Sequence, residues 1–187
     1  MGRLEGKLAL VTGAARGIGA GIARRFTEEG ARVVINDLDL EPAEKIAREI
    51  GGDAIAADVA DPKAVAEMFR QLADRHGRLD VLVNNAGISG IGDSPDLVAR
   101  VRERTARQME QLVAGGEITA HLDVTVELDD EAWRRMIAVH LDGTFYCSRE
   151  ALKIMGPRLS GAIINMGSIM GTSGGAGAPH YCAAKAG

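Results

Sequence analysis

The stretch Thr12-Gly13-Ala14-Ala15-Arg16-Gly17-Ile18-Gly19 decides how this chain is read. Before it, Lys7 to Val11 is a short apolar run of strand character. After it, Gly17 to Glu29 carries a helical period that stops at Gly30. A glycine-rich turn between a buried strand and a helix lets the backbone bend tightly and come close to an anion. The open N–H groups at the helix start, together with the helix dipole, favour a pyrophosphate there. Glycine turns also serve packing alone, so the context has to carry the reading. Here Arg32 to Asn36 forms a second strand and Asp37 closes it. An acid at that point, behind such a turn, marks a dinucleotide site.

Asp37 can accept hydrogen bonds from both hydroxyls of an adenosine ribose, and its charge repels a 2′-phosphate, which favours NAD over NADP. It can equally be a solvated turn acid. Arg16, a cation inside the glycine turn, would help to hold a 2′-phosphate. Asp37 outweighs it, because no Arg or Lys follows before Lys45.

Working outward, Glu41 to Ile50 reads as a helix and Asp53 to Ala57 as a third strand. Pro62 to His76 is a helix with Pro near its start and Gly77 just past its end. Leu79 to Asn84 is a fourth strand. Asp130 to Met155 is one long helix with Trp133, Ile137, Leu141 and Phe145 on a single stripe, and Ala162 to Met166 is a fifth strand. Strands that are nearly continuous in apolar residues, alternating with helices, predict an α/β fold. Its centre is a doubly wound, Rossmann-like parallel sheet covered on both faces. The 187 residues suit one domain, so residues 1–187 are expected to form a single dinucleotide-binding and catalytic domain.

An insertion at about 92–122 follows the fourth strand. Ser94-Pro95 looks like a helix start, Val98, Val101, Met109 and Leu112 keep helical spacing, and Gly115-Gly116 ends it. From Ile118 the apolar residues alternate through Ala120, Leu122, Val124, Val126 and Leu128, as in a short strand or extended arm. At the carboxyl edge of the sheet the insertion would lie near a substrate entrance, or serve as a surface elaboration with no ligand role.

Composition narrows the partners. The chain is 46% hydrophobic and 26% charged with a net charge of −4, which gives no reason to expect nucleic acid or an anionic membrane. No apolar run approaches the ~20 residues that span a bilayer. The amino terminus lacks the apolar core of a signal peptide. Cys147 and Cys182 make neither a disulfide framework nor a metal cluster. A soluble cytoplasmic protein without a metal is the expectation.

The chemistry lies toward the carboxyl end. Tyr181 and Lys185 stand four apart, so on a helix they share a face. A phenol with a pKa of about 10 is a poor base at neutral pH, and a neighbouring ammonium favours the phenolate. Tyr181 can then pass a proton to or from a substrate oxygen while hydride moves to or from a nicotinamide. Ser168, at the carboxyl end of the fifth strand, is placed to hydrogen-bond that oxygen and orient it. An isolated Tyr-x-x-x-Lys is usually a surface pair; here it follows Asn165-Met166-Gly167-Ser168 and a glycine-rich loop.

With these marks in order, the sequence resembles the short-chain dehydrogenase/reductase family, in the pattern of 3-oxoacyl-carrier-protein reductases and hydroxysteroid dehydrogenases. The resemblance rests on the Thr-Gly-x-x-x-Gly-x-Gly turn, Asp58-Val59, Asn84-Asn85-Ala86-Gly87, Ser168 and Tyr181-Cys182-Ala183-Ala184-Lys185, and covers the chain outside the insertion. It implies an NAD-dependent oxidoreductase acting on a small secondary alcohol or ketone, and a homotetramer. It implies cofactor contacts from Gly13, Arg16, Gly17, Ile18 and Gly19, then from Asp37 and Leu38. Asp58 and Val59 would come next, with Asp58 toward the adenine, then Asn85, Ala86 and Gly87 along the ribose. Tyr181 and Lys185 would complete the set, Lys185 on the nicotinamide ribose. Asp58 can also be read as a strand-end acid, and Asn85 as a turn cap.

The pattern is broken at His140, where the family usually has an asparagine that helps to hold a proton-relay water. A histidine keeps the backbone carbonyl and could shuttle protons itself, or simply pack the helix. His76, His121 and His180 are read as ordinary polar residues. The chain stops at Gly187, shortly after Lys185, so the fold is expected to be truncated after the fifth strand. That strand's edge and the stripe of the long helix would then be left exposed. Two rival functions remain. One is a catalytically inactive nucleotide-binding module. The other is a sugar-nucleotide epimerase or dehydratase, which would want a Gly-x-x-Gly-x-x-Gly turn and a larger carboxyl-terminal domain.

Overall fold

The β-branched runs pair as one parallel sheet in a computed structural model that describes residues 2–89, 95–175 and 177–187. Its strands are β1 (Leu8–Thr12), β2 (Arg32–Asp37), β3 (Asp53–Ala56), β4 (Val81–Asn84) and β5 (Ala162–Asn165). Their order is β3-β2-β1-β4-β5, and Leu10 stands in register with Val34 on one side and Leu82 on the other. The chain winds outward from β1 through β2 to β3, then returns to place β4 on the other side of β1. That reversal opens a crevice beyond the carboxyl ends of β1 and β4, the place where such sheets bind ligands.

Helices α1 (Gly17–Glu28), α2 (Leu40–Ile50) and α3 (Pro62–His76) follow β1, β2 and β3. Ala9, Val11, Val33, Ile35, Val81 and Val83 pack with Ala20 and Ala23 of α1 and with Ala43 and Ile46 of α2. The period of two sends Leu10, Val34 and Leu82, all fully buried, to the opposite face. Helix α3 buries Val65, Met68, Phe69 and Leu72. Its ends are those the sequence suggests. Asp61 caps it by accepting the Lys63 N–H at 2.8 Å, and Gly77 stops it with φ +67°. The fold is therefore the doubly wound α/β sheet of the Rossmann type, with β5 at one edge among the described residues.

The chain divides into two compact units. One comprises Met1–Gly87 and Ala138–Met166 and contains the whole sheet; the other comprises Ile88–Ile137 and Gly167–Gly187.

The expected single long helix is interrupted. Helix α6 (Asp130–Ile137) runs into a π-helical turn, Ala138–Asp142, and then into α7 (Gly143–Met155), which packs on α3. The extra residue of a π-turn rotates the phase of the helix beyond it. Of the predicted stripe, Trp133, Leu141 and Phe145 are 42%, 36% and 59% exposed, as the sequence reading expects. The buried face of this stretch is Met136 in one unit, then Val139, His140, Gly143, Cys147 and Ala151 in the other.

The insertion also departs from expectation. Its first residues, including Ser94, lie outside the described residues. Helix α4 (Pro95–Ala114) forms as read and ends at Gly115 with φ +67°. Met109 and Leu112, however, are 57% and 60% exposed. Arg104, Gln108 and Gln111 turn inward instead and carry the segment after the helix. Gln111 Oε1 accepts the N–H groups of Thr119 and Ala120, both at 3.0 Å, and Gln108 Nε2 donates to the Ala120 carbonyl at 2.8 Å. Arg104 Nη1 donates to the Leu122 carbonyl at 2.8 Å. Side chains thus satisfy a backbone that would otherwise need a partner strand. The alternation from Ile118 is therefore not a strand, and Val124 and Val126 lie in a short helix, α5 (Val124–Glu127).

Candidate active site

In the sheet-containing unit, β1 delivers Thr12 into the crevice. Its buried hydroxyl accepts the N–H groups of Asn85 at 3.1 Å and Ala86 at 3.0 Å. Asn85 answers with its side chain, whose Nδ2 donates to the carbonyls of Thr12 at 2.9 Å and Gly13 at 3.0 Å. These bonds clamp the glycine turn to the Asn84–Gly87 turn after β4. They also explain two glycines. A Cβ on Gly13, whose φ is +61°, would lie 2.7 Å from the Cα of Ala86. One on Gly19 would lie 2.4 Å from the Gly13 carbonyl oxygen. Gly17 differs, since its φ is +55° but the space beside it is open.

The second strand supports the same turn. Ala14 N–H donates to the Asn36 carbonyl and Ala15 N–H to Asp37 Oδ2, both at 2.9 Å. Helix α1 then starts with no acid in its first turn and no side-chain cap at Arg16, which leaves its positive end to an anion. Ile18 and Leu38, 68% and 55% exposed, offer apolar surface on either side.

Further along the strand ends, Asp58 Oδ1 accepts the Ala60 N–H at 2.9 Å and shapes the turn into α3. Val59 points inward against Gly143, where a Cβ would lie 2.9 Å from Val59 Cγ2, so only its backbone is available to a ligand. His140 occupies the middle of the π-turn and is buried. Its ring lies against Gly87, where a Cβ would fall 2.5 Å from His140 Cε1. The His140 carbonyl accepts the Thr144 hydroxyl at 2.7 Å.

The other unit holds Ser168, Tyr181 and Lys185. Ser168 caps a one-turn 3-10 helix, Ile169–Gly171, its Oγ accepting the Met170 N–H at 3.2 Å. Gly171 packs so closely on α8 (Pro179–Ala186) that a Cβ would lie 2.1 Å from the Lys185 carbonyl oxygen. That contact joins the Ser168 segment to the helix bearing the other two residues. One turn of α8 separates Tyr181 from Lys185, and Lys185 Nζ lies 5.9 Å from the centre of the Tyr181 ring. Burial lowers the Lys185 pKa from its usual value, which makes the ammonium easier to deprotonate than a surface lysine.

His180 needs correcting: it is not an ordinary polar residue but is 2% exposed, with its pKa lowered by burial. Sequence reasoning also passes over Thr12 as a working residue, and over a polar knot at the ends of β4 and β5. There Asn84 Nδ2 donates to Asn165 Oδ1 at 2.9 Å and to Ser148 Oγ at 3.1 Å. Polar residues ending otherwise apolar strands are the available signal.

Comparison with known proteins identifies the family. The profile of the short chain dehydrogenase family matches residues 7–187. The meso-2,3-butanediol dehydrogenase of Serratia marcescens is 36% identical over 98% of this chain and 61% of its own length. The 3-oxoacyl-[acyl-carrier-protein] reductase of Vibrio cholerae is 34% identical over 98% of this chain and 64% of its own. A crystal structure from Sinorhizobium meliloti described as a short-chain alcohol dehydrogenase aligns with TM-score 0.75 and 31% identity, over 98% of this chain and 63% of that one. This chain therefore spans somewhat less than two thirds of these relatives' length. With its sheet order, its clamped glycine turn and its Ser168, Tyr181 and Lys185, the chain belongs to the short-chain dehydrogenase family.

Proposed function

We propose that the protein is an NAD-dependent oxidoreductase interconverting a small secondary alcohol and its ketone. The observation that carries this reading is the Tyr181–Lys185 pair on one face of α8, with Nζ 5.9 Å from the ring centre and Ser168 in the same unit. Tyr181 passes the proton to or from the substrate oxygen, Ser168 donates a hydrogen bond that orients that oxygen, and Lys185 supplies positive charge beside the phenol.

The residues present fit a dinucleotide. Gly13 and Gly19 let the turn close on Ala86 and on itself where a Cβ would clash, Gly17 leaves open space beside the turn, and the start of α1 is free of acids. Gly13, Arg16, Gly17, Ile18 and Gly19 would hold the pyrophosphate end, and Asp37 and Leu38 the adenosine ribose. Asp58 and the Val59 backbone would lie toward the adenine. Asn85, Ala86 and Gly87 would line the ribose side, with Tyr181 and Lys185 at the nicotinamide ribose. When bound, NAD supplies the hydride acceptor. Asp37 supports NAD over NADP because its charge opposes a 2′-phosphate. His140 packs against Gly87, and a part in the proton relay is proposed for it where the family usually has an asparagine. The two units are read as one catalytic domain of a cytoplasmic homo-oligomer, with a homotetramer as the expected assembly.

A second reading, a nucleotide-binding module without turnover, is favoured by His140 standing buried in the π-turn where the family usually has an asparagine. NADH titration, followed by assays with 2,3-butanediol, other secondary alcohols and a 3-oxoacyl thioester, separates the two. The proposal expects NADH binding, turnover of at least one alcohol or ketone, and loss of turnover with retained binding in Tyr181→Phe. Binding without turnover of any substrate favours the module. Turnover that survives Tyr181→Phe removes that residue from the acid–base role.

A further inference from the structure

The carboxylate of Asp37 is already engaged in the protein itself. Oδ2 accepts the Ala15 N–H at 2.9 Å, reaching back to the glycine turn, and Oδ1 accepts the Leu38 N–H at 2.9 Å. The neighbouring anchor of the turn, Ala14 N–H to the Asn36 carbonyl at 2.9 Å, is made by main chain and survives any substitution. The Ala15 anchor alone depends on the side chain at position 37. Immediately beyond it, Arg16 caps α1 in extended conformation with φ −158°, without a side-chain cap bond.

We infer that Asp37 is a positioning residue for the glycine turn as well as the residue that selects the cofactor, so that removing its acceptor oxygens weakens NAD and NADP together, whereas removing only its charge exchanges one for the other. This inference rests on the dinucleotide reading for its consequence, though not for the anchor itself. A carboxylate offers about four acceptor positions. With one on each oxygen given to Ala15 and Leu38, one on each remains, which suffices for the two hydroxyls of a ribose. A 2′-phosphate has no proton to give and carries like charge. The same carboxylate thereby shapes the turn that meets the pyrophosphate and accepts the sugar beyond it. A side chain that lacks an acceptor loses the first function whatever it does for the second.

Two variants separate the roles. Asp37→Asn keeps a carbonyl oxygen for the Ala15 N–H but loses the charge; Asp37→Ala loses both. Amide hydrogen exchange on the cofactor-free protein reads the anchor directly. Ala15 is expected to stay protected in the wild type and in Asp37→Asn, and to exchange roughly tenfold faster or more in Asp37→Ala. In cofactor titrations, Asp37→Asn should gain affinity for NADP relative to NAD, whereas Asp37→Ala should weaken both by roughly tenfold or more. An Ala15 amide as protected in Asp37→Ala as in the wild type overturns the inference. So does Asp37→Ala binding NADP as well as Asp37→Asn does. Should the exchange pattern hold while the wild type binds neither cofactor, the anchor stands and the dinucleotide reading fails.

Discussion

Replacing Asp80 by asparagine tests how much one buried carboxylate holds the amino-terminal end of the sheet. Asp80 is 4% exposed and stands just before β4. Its Oδ2 accepts the Leu8 N–H and Arg78 Nε, each at 2.9 Å. Its Oδ1 accepts Arg78 Nη2 at 2.7 Å and Arg158 Nη2 at 3.2 Å. One side chain thus joins the start of β1, the start of β4 and the turn after α7. Burial alone would raise its pKa. Hydrogen bonds from Arg78, Leu8 and Arg158 overcome that and lower it from 3.8 to about 2. The difference, 3.8 less about 2, corresponds to about 2 kcal/mol of stability. The folded value lies below the unfolded one, so this stabilisation is complete above about pH 4 and is lost as the pH falls through about 2. Asparagine resembles the protonated acid. Asp80→Asn should therefore cost about 2 kcal/mol near neutral pH and almost nothing extra at about pH 2. Urea unfolding of both proteins across that range measures it. A penalty below about 0.5 kcal/mol at neutral pH, or a gap that does not narrow with acid, refutes the reasoning.

The packing yields two more expected outcomes. Gly87→Ala should destabilise the protein by about 1–3 kcal/mol through overpacking on His140. Combining it with His140→Asn should recover about 1 kcal/mol or more of that loss; strictly additive unfolding energies would show that the two residues do not meet. Cys147 is fully buried, and burial, with a smaller contribution from Glu150, pushes its thiol up to about 12, while Cys182 is only half-buried. A thiol reagent should modify Cys182 in the folded protein and reach Cys147 only in denaturant, so equal rates at both would contradict the burial.

Local chemistry is what the sequence makes legible. The five strands stand out because apolar runs of that length, bounded by turn residues, have few alternatives. Gly77 and Gly115 announce the ends of their helices because each takes the left-handed conformation that closes a helix. The candidate residues are legible as types at fixed spacing, Tyr181 and Lys185 above all. The remainder depends on partners far away in the chain. Nothing local marks Ala138–Asp142 as a π-turn, whose His140 fits against Gly87. The alternation from Ile118 to Leu128 imitates a strand because periodicity cannot reveal that Gln108 and Gln111 supply the hydrogen bonds. Thr12 stands in the glycine pattern, but only the fold discloses that its hydroxyl receives two amides from the turn after β4. His180 reads wrongly for a similar reason, since burial belongs to the tertiary structure and not to the residue.

The segment after α4 is gripped by its main chain. Gln111, Gln108 and Arg104 reach Thr119, Ala120 and Leu122 only through peptide groups or, once, a hydroxyl. A tether of that kind does not read the residues it holds, so most substitutions along 118–122 leave the grip intact. The burden of constancy passes to the three polar side chains of the helix, which have no say in what the segment displays. Ile118, 45% exposed, belongs to the displayed side. Over generations such a segment can change its outward chemistry one residue at a time while keeping its course, which makes it a place where new recognition can arise without a new fold.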